Sequence, residues 1–401
     1  MSSFTKVFPA LSSKNFRYFW YGQCISLMGT WMQRTAQQWL VYSLTKSPLL
    51  LGFLGVAQFG PMLLFSLAAG VIIDRYPKRR MLVFTQAFLM LQALVLAALV
   101  LSGQVRYWHV LVLATVLGLM NTLDMPARQA FVIELVDRNH LTNGIALNSA
   151  IVNFARIAGP ALAGMLIVSY SAGICFLVNG LSFLPVILGL SLIRVQPTRG
   201  GGVQGRVMSG IAEGLRYLGS RPKLLSPILA LLIVGTFAMN MDVLIPVFAD
   251  RVLHQGAHGY GFLLSASGFG ALISAIFVAM KVKNNPSLRM LFTSGLIVAI
   301  VMVMANFVSS YSLAILLVAV LGFFNMLFMT LVNSTIQLNV DNAHRGRVMS
   351  VYTLAFGGTT PIGNLLAGSI VQQYGPGIGF LACGVITGLL LLLLTLWVVR
   401  S

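Results

Sequence analysis

Long apolar runs broken by short polar stretches set the pattern of this chain. Runs of about twenty residues fall near 17–43, 48–73, 80–101, 108–131, 141–169 and 172–193. A second set falls near 224–249, 258–281, 288–308, 311–334, 345–372 and 374–399. An apolar run of roughly 18 or more residues spans the hydrocarbon core of a bilayer as a helix. Barrel strands would instead alternate over about ten residues, and in hydrocarbon the backbone must satisfy itself. The pattern therefore predicts an all-α integral membrane protein with twelve transmembrane helices in two six-helix bundles. One long polar stretch, 194–223, contains Gly200-Gly201-Gly202 and separates an N-terminal bundle (1–193) from a C-terminal bundle (224–401). Within it, Val207 to Leu218 reads either as an interfacial helix or as part of a solvated linker.

Composition narrows the function classes. Hydrophobic residues make up 58% of the chain and charged residues 8%, against roughly 25% charged in a soluble domain. A net charge of +18 would suit a nucleic-acid binder, but the placement of the charges does not. With the N-terminus inside, only Lys46, Arg106 and Arg251 fall outside, and Arg34 and Arg156 lie within spans. That is the positive-inside asymmetry; it predicts two cytoplasmic termini, a lipid bilayer as partner and no nucleic acid. Trp20, Trp39, Trp108 and Trp397 sit at span ends as interfacial anchors. Cys24, Cys175 and Cys383 lie in apolar spans at unrelated spacing and read as packing residues. The polar N-terminal segment followed by a long span reads as a retained helix rather than a cleaved signal.

The two halves resemble one another. With no gap, Val136-Asp137 falls on Val340-Asp341, Gly159 on Gly363, and Leu162-Ala163-Gly164 on Leu366-Ala367-Gly368. Gly29-Thr30-Trp31 matches Gly235-Thr236-Phe237, and Arg80-Met81-Leu82 matches Arg289-Met290-Leu291. Parallel six-helix repeats imply a two-fold axis along the membrane normal and a central site between the halves.

The loop after the second span reads Gly70-Val71-Ile72-Ile73-Asp74-Arg75-Tyr76-Pro77-Lys78-Arg79-Arg80. It is similar to the loop signature of the major facilitator superfamily, with Ile72 for a leucine and Pro77 for the second glycine. The resemblance covers essentially the whole chain. It implies a cytoplasmic conformational latch of Gly70, Asp74, Arg75, Lys78, Arg79 and Asp124, with Gly70 allowing close helix approach and Lys78 pairing with Asp124. In the fifth span, Arg156-Ile157-Ala158-Gly159-Pro160-Ala161-Leu162-Ala163-Gly164 resembles the antiporter element of that superfamily, Ala163 standing for one glycine. Together with Pro126-Ala127-Arg128-Gln129 and Asn148, it is similar to bacterial exporters of drugs, macrolides and enterobactin. A bacterial inner-membrane location follows from the resemblance.

Charge inside a membrane is costly and marks function by default. Asp242 in the seventh span and Arg34 in the first lie roughly 27 and 25 Å from the starts of their spans at ~1.5 Å per residue. They form a candidate outer gate, with Asp242 a candidate carrier of the coupling proton. Arg156 shares a polar helical face with Ser149, Asn153 and Pro160. With Arg34 and Asp242 it leaves one excess positive charge, which suits an anionic substrate or balances backbone dipoles. Gln37, Asn121, Asn153, Phe237, Met239, Asn240, Asn325, Met326, Tyr352 and Phe356 are candidates for lining the substrate cavity. The reading that follows is a proton-coupled antiporter, working as a monomer, that exports a lipophilic drug-like or siderophore-like small molecule by alternating access. An importer or facilitator of a polar nutrient is the alternative. An intramembrane enzyme fits poorest: no paired catalytic carboxylates are evident, and all five histidines fall at span ends or in loops. No Walker sequence is present, so ATP is not expected to drive it. No cofactor or metal is expected.

Overall fold

A computed structural model of the chain describes residues 8–136, 140–193, 207–281, 287–341 and 344–400. The side chains of Leu67, Val71, Asp74, 207–212 and 399–400 are not described. Six long helices form the first half: α1 (Lys14–Thr45), α2 (Pro48–Arg75), α3 (Lys78–Leu101), α4 (Tyr107–Leu135), α5 (Leu141–Ser169) and α6 (Ala172–Leu192). The amphipathic α7 (Val207–Gly219) follows, so the polar stretch does contain a helix. Its residues 194–206 lie outside the description. The second half comprises α8 (Pro222–Phe237), α9 (Met241–Arg251), α10 (Gly256–Lys281), α11 (Leu288–Ala305), α12 (Tyr311–Asn339) and α13 (Arg345–Arg400).

Among the described residues ten helices are long and apolar enough to cross a membrane. α1 stands apart from that set because it carries Gln23, Gln33, Gln37 and Gln38, all buried. At the other end, α13 is two helices joined without a loop. Gly375 has φ 83° and ψ 170° and precedes Pro376. A left-handed φ is open to glycine, and the residue before a proline is steered away from the α-helical region. A turn predicted near 373 is thus a single-residue kink.

The seventh span departs from expectation. Instead of one helix over 224–249, the chain leaves the helix at Ala238, Met239 and Asn240 and re-enters it at Met241. The buried Asn240 side chain donates to the carbonyl of Thr236 (2.7 Å), supplying from a side chain what the helical ladder lacks there. Breaks of this kind persist at membrane depth only where protein or cavity water satisfies the freed backbone.

The chain divides into two compact units. One comprises Met1–Leu40 with Gly60–Val203, the other Val41–Phe59 with Gln204–Ser401. In the first, α3 packs on α6 and α4, with Leu89, Ala93 and Phe183 at the contact. One polar network runs through it: Asn179 donates to Gln33 (2.7 Å) and Gln33 to Gln92 (3.0 Å), linking α6, α1 and α3. Such interhelical bonds are worth about 0.6–2 kcal/mol each. Around the short 3-10 turn Pro9–Ser12, Leu11, Phe16, Phe19, Leu82, Phe131 and Leu190 form an apolar cluster.

In the second unit, α10 crosses α12 with backbones nearly touching. A Cβ on Gly270 would strike the carbonyl of Ala319, and one on Gly322 the carbonyl of Ser267. The segment 41–59 belongs to this unit because small residues let it lie on α13: a Cβ on Gly52 would sit 2.7 Å from the Asn364 carbonyl oxygen, and one on Gly368 the same distance from that of Pro48. Gly322→Val is therefore expected to destabilise the protein by about 2 kcal/mol or more, since overpacking at a backbone contact has no side chain to move aside. Gly70→Ala, where a Cβ would meet open space, should leave stability unchanged. Thermal unfolding of the two variants in detergent, read by size exclusion, checks the contrast.

Candidate functional site

The polar residues of the first unit fall into three groups. In the first, α5 docks on α1 at Gly159. A Cβ there would lie 2.6 Å from the Cβ of Trp31 and 3.1 Å from the amide nitrogen of Met32, so only glycine permits this approach. One turn earlier on α5, the guanidinium carbon of Arg156 lies 5.2 Å from the centroid of the Trp31 ring. The guanidinium carbon of Arg34 lies 5.4 Å from the same centroid. Two cations thus share one indole, each within reach of a cation–π attraction. Pro160 has no amide hydrogen to give the carbonyl of Arg156, four residues back. Gly159, Pro160 and Gly164 are buried, whereas Trp31, Arg34 and Arg156 remain partly accessible. Asn153, on the same helix, donates to the carbonyl of Ser149 (2.9 Å).

The second group is buried. Asp124 of α4 is 3% exposed and accepts from Thr85 and Gln86 of α3, each at 2.7 Å. It also pairs with Arg128, one turn along its own helix. The third lies nearer the helix ends, where Lys78 pairs with Glu134 at 2.7 Å. Arg79 donates to the carbonyls of Leu190 (2.6 Å) and Ser191 (2.7 Å) at the C-terminus of α6, where a cation is favoured by the helix dipole.

The expected Lys78–Asp124 pair is not formed, and helical register explains why. Asp124 lies ten residues before Glu134, or ~15 Å deeper along α4. Lys78 opens α3 and meets the end of α4; Thr85 and Gln86, two turns in, meet Asp124. Gly70 and Arg75 are exposed, and no close helix approach occurs at Gly70. Asp74 ends α2 with its side chain outside the description.

In the second unit the break in the seventh span places Asp242 in the first turn of α9, partly accessible. A carboxylate there is favoured by the dipole of the half-helix. α13 backs the break closely, a Cβ on Gly363 meeting the Thr236 carbonyl and the Asn240 side chain. Of the cavity candidates, Phe237, Met239, Asn325, Met326 and Tyr352 are partly accessible and Phe356 is exposed. Asn240 is wholly buried; in the first unit so is Gln37, while Asn121 is partly accessible.

One constellation was missed from sequence. After α1 the chain turns at Lys46, a non-glycine residue at φ 50°, a conformation that costs of order 1–3 kcal/mol. Lys46 pairs with Asp250 (3.2 Å), Tyr42 donates to the same carboxylate (3.0 Å), and Arg251 donates to the Lys46 carbonyl (2.9 Å). Ser47 is bonded to Gln372 at 2.8 Å. In sequence Lys46 and Arg251 are merely two loop cations. Their position at matching ends of the first and seventh spans, each beside a polar partner, is the signal that would have found them.

On the opposite ends of the second-unit helices, α7 is tied down by its charges. Arg347 pairs with Glu213 (2.7 Å) and Arg221 with Asp341 (3.0 Å). Tyr217 donates to Asp341 (2.9 Å) and stacks on His344 with centroids 4.3 Å apart. The Tyr217 hydrogen bond, followed by the Arg221 charge, holds the Asp341 carboxyl below its ordinary value of 3.8. No cluster of metal-ligating side chains occurs among the described residues.

Residues 5–400 match the family model described as transmembrane secretion effector, MFS_3. The chain belongs to that family of the major facilitator superfamily. The staphyloferrin A transporter of Staphylococcus aureus is 24% identical to this facilitator over 90% of each chain. The multidrug efflux pump Tap of Mycolicibacterium fortuitum is 27% identical over 86% of each, and macrolide efflux protein A of Streptococcus pyogenes 20% identical over 91% of each. Among solved structures, the nucleoside transporter NupG superposes with a TM-score of 0.74 at 10% identity, covering 95% of this chain and 98% of its own. That likeness shows the fold alone. The family and its relatives are membrane transporters of small molecules, so this facilitator is a transporter and not an enzyme.

Two outcomes are expected from these geometries. Asp124→Asn leaves Arg128, and Lys78→Gln leaves Glu134, without a counter-ion at side chains only 15% and 16% exposed; each should destabilise the protein by about 3–5 kcal/mol, read from detergent melting curves. A depressed carboxyl stabilises above its unfolded pKa and is lost as pH falls through the folded one. Asp341 should therefore hold α7 docked at neutral pH and release it only below about pH 4. Hydrogen exchange of α7 across pH, with Asp341→Asn already loosened at neutral pH, checks this.

Proposed function

We propose that this facilitator is a proton-coupled exporter of a lipophilic, drug-like or siderophore-like small molecule in a bacterial cytoplasmic membrane. Both termini face the cytoplasm, and the protein acts as a monomer. The halves 1–193 and 224–401 alternate access around a site near the membrane midplane. The observation that carries the reading is the break in the seventh span, with Asp242 partly accessible in the first turn after it. A carboxylate at membrane depth is costly unless it faces protein or cavity water, and a discontinuous helix is where transporters of this architecture gather substrate and coupling-ion groups.

Asp242 exchanges the coupling proton, and Arg34 is the charge that answers it when the outer gate closes. Loss of a proton favours the pair, and desolvation favours the protonated acid. The Tyr42–Lys46–Asp250–Arg251 cluster adds to the outer closure. On the cytoplasmic side, Gly70, Asp74, Arg75, Lys78, Arg79 and Asp124 form the latch, with Lys78 acting through Glu134 and Asp124 through Arg128. The direction of transport is supported by relatives named for efflux over nearly the whole chain.

Everted membrane vesicles given lipophilic dyes, macrolides and catecholate siderophores test the reading. Wild type should accumulate at least one class when a proton gradient is imposed and lose it with an uncoupler, and Asp242→Asn should reduce the rate ten-fold or more. Accumulation that persists in the variant would reduce Asp242 to a structural role. Uptake found only in right-side-out vesicles would replace export with nutrient import.

A further inference from the structure

Cations outnumber carboxylates where α7 meets the ends of α8, α12 and α13. Arg216 lies on α7, Arg221 and Lys223 flank the start of α8, and Arg345 and Arg347 open α13. All of them are exposed. Glu213, Asp242, Asp250 and Asp341 are the acidic residues of 204–401. Asp242 and Asp250 belong to α9, which leaves Glu213 and Asp341 for this cluster. Both are taken, Glu213 by Arg347 (2.7 Å) and Asp341 by Arg221 (3.0 Å). Arg216, Lys223 and Arg345 form no ion pair among the described residues. Arg345 reaches only the carbonyl of Gln337, at 3.4 Å.

These three cations lie beside apolar surface. Gly214 and Leu218 form the buried face of α7, and a Cβ on Gly214 would sit 2.8 Å from the carbonyl oxygen of Arg347. The opposite face presents Leu215, Arg216 and Gly219, with Leu215 53% exposed. At the end of α12, Leu338 is 58% exposed, next in sequence to the Gln337 carbonyl that Arg345 reaches. Twice, then, an exposed leucine adjoins an exposed arginine. Lys223 comes immediately before the apolar run of α8 that begins at Leu224. This is the composition of a helix lying at the boundary between headgroups and acyl chains.

A bilayer carrying anionic phospholipid supplies both things the surface lacks. Phosphate oxygens meet the unpaired cations, and acyl chains cover the leucines. A nucleic acid or an acidic polypeptide would answer the charge but leave the leucines in water. We infer that Arg216, Lys223 and Arg345 form a binding surface for anionic phospholipid headgroups, with Leu215 and Leu338 against the acyl chains. The inference requires neither export nor proton coupling.

The test places a fluorescent label on α7 of the full-length protein. Gly219→Cys suits it, since a Cβ there meets open space, and Cys24→Ala removes the one partly accessible native thiol. The labelled protein is reconstituted in phosphatidylcholine nanodiscs containing either doxyl-labelled phosphatidylglycerol or doxyl-labelled phosphatidylcholine. Quenching then reads which lipid gathers at α7. The anionic lipid is expected to quench at least three-fold more, and high salt should erase most of the excess, since such attraction is screened. Arg216→Gln, Lys223→Gln and Arg345→Gln combined should bring the two lipids level, with the melting temperature in detergent unchanged. Each single substitution should remove part of the excess, which keeps the test decisive if the combined variant unfolds. Equal quenching by the two lipids in the parent overturns the inference, as does an excess that survives all three substitutions in folded protein. Equal quenching together with binding of soluble poly-L-glutamate to the labelled helix would assign the surface to an acidic polypeptide instead.

Discussion

A polar group in hydrocarbon must be satisfied by protein or by cavity water, and every unusual feature of this chain answers to that constraint. Two solutions appear. In the first, the group is buried among polar side chains of neighbouring helices. Asp124 has Thr85, Gln86 and Arg128 around it, and Asn179, Gln33 and Gln92 form a chain across three helices. These networks hold the first unit together and give a solvated ligand nothing to displace. In the second, the group stays partly accessible: Arg34 and Arg156 on Trp31, and Asp242 at the start of a half-helix.

Hydropathy made most of the architecture legible. The fifth span was expected over 141–169, and the helix runs Leu141–Ser169. The junction of the last two spans lies at Gly375, two residues past the expected break at 373. The break at 238–240 was not legible, since Ala238 and Met239 read as continuous apolar sequence and the interruption depends on where Asn240 and α13 pack. Family resemblance supplied residue types but not register. It paired Lys78 with Asp124, whereas α4 extends to Leu135, beyond the expected end at 131, and so carries Asp124 deeper than Lys78 reaches. Asp124 and Arg128 at helical spacing opposite the polar Thr85-Gln86 were the available signal.

The contact of Arg156 with Trp31 shows most clearly what sequence does and does not carry. Arg156, Gly159 and Pro160 can be read as a motif, and Trp31 and Arg34 as neighbours on a helix face. Nothing in either stretch joins them. The join is made by Gly159, which removes a side chain where α5 meets the backbone of α1.

Pro160 makes the same turn of α5 dependent on that contact. Without an amide hydrogen at Pro160, the carbonyl of Arg156 lacks its usual helical donor, so the local ladder alone does not fix the arginine. Docking at Gly159 does so from outside the helix. A larger residue at 159 would lift α5 from α1 and carry Arg156 away from the indole even with every charged group retained. The small-residue pattern of the motif is thus the means by which a helix–helix contact holds Arg156 at Trp31.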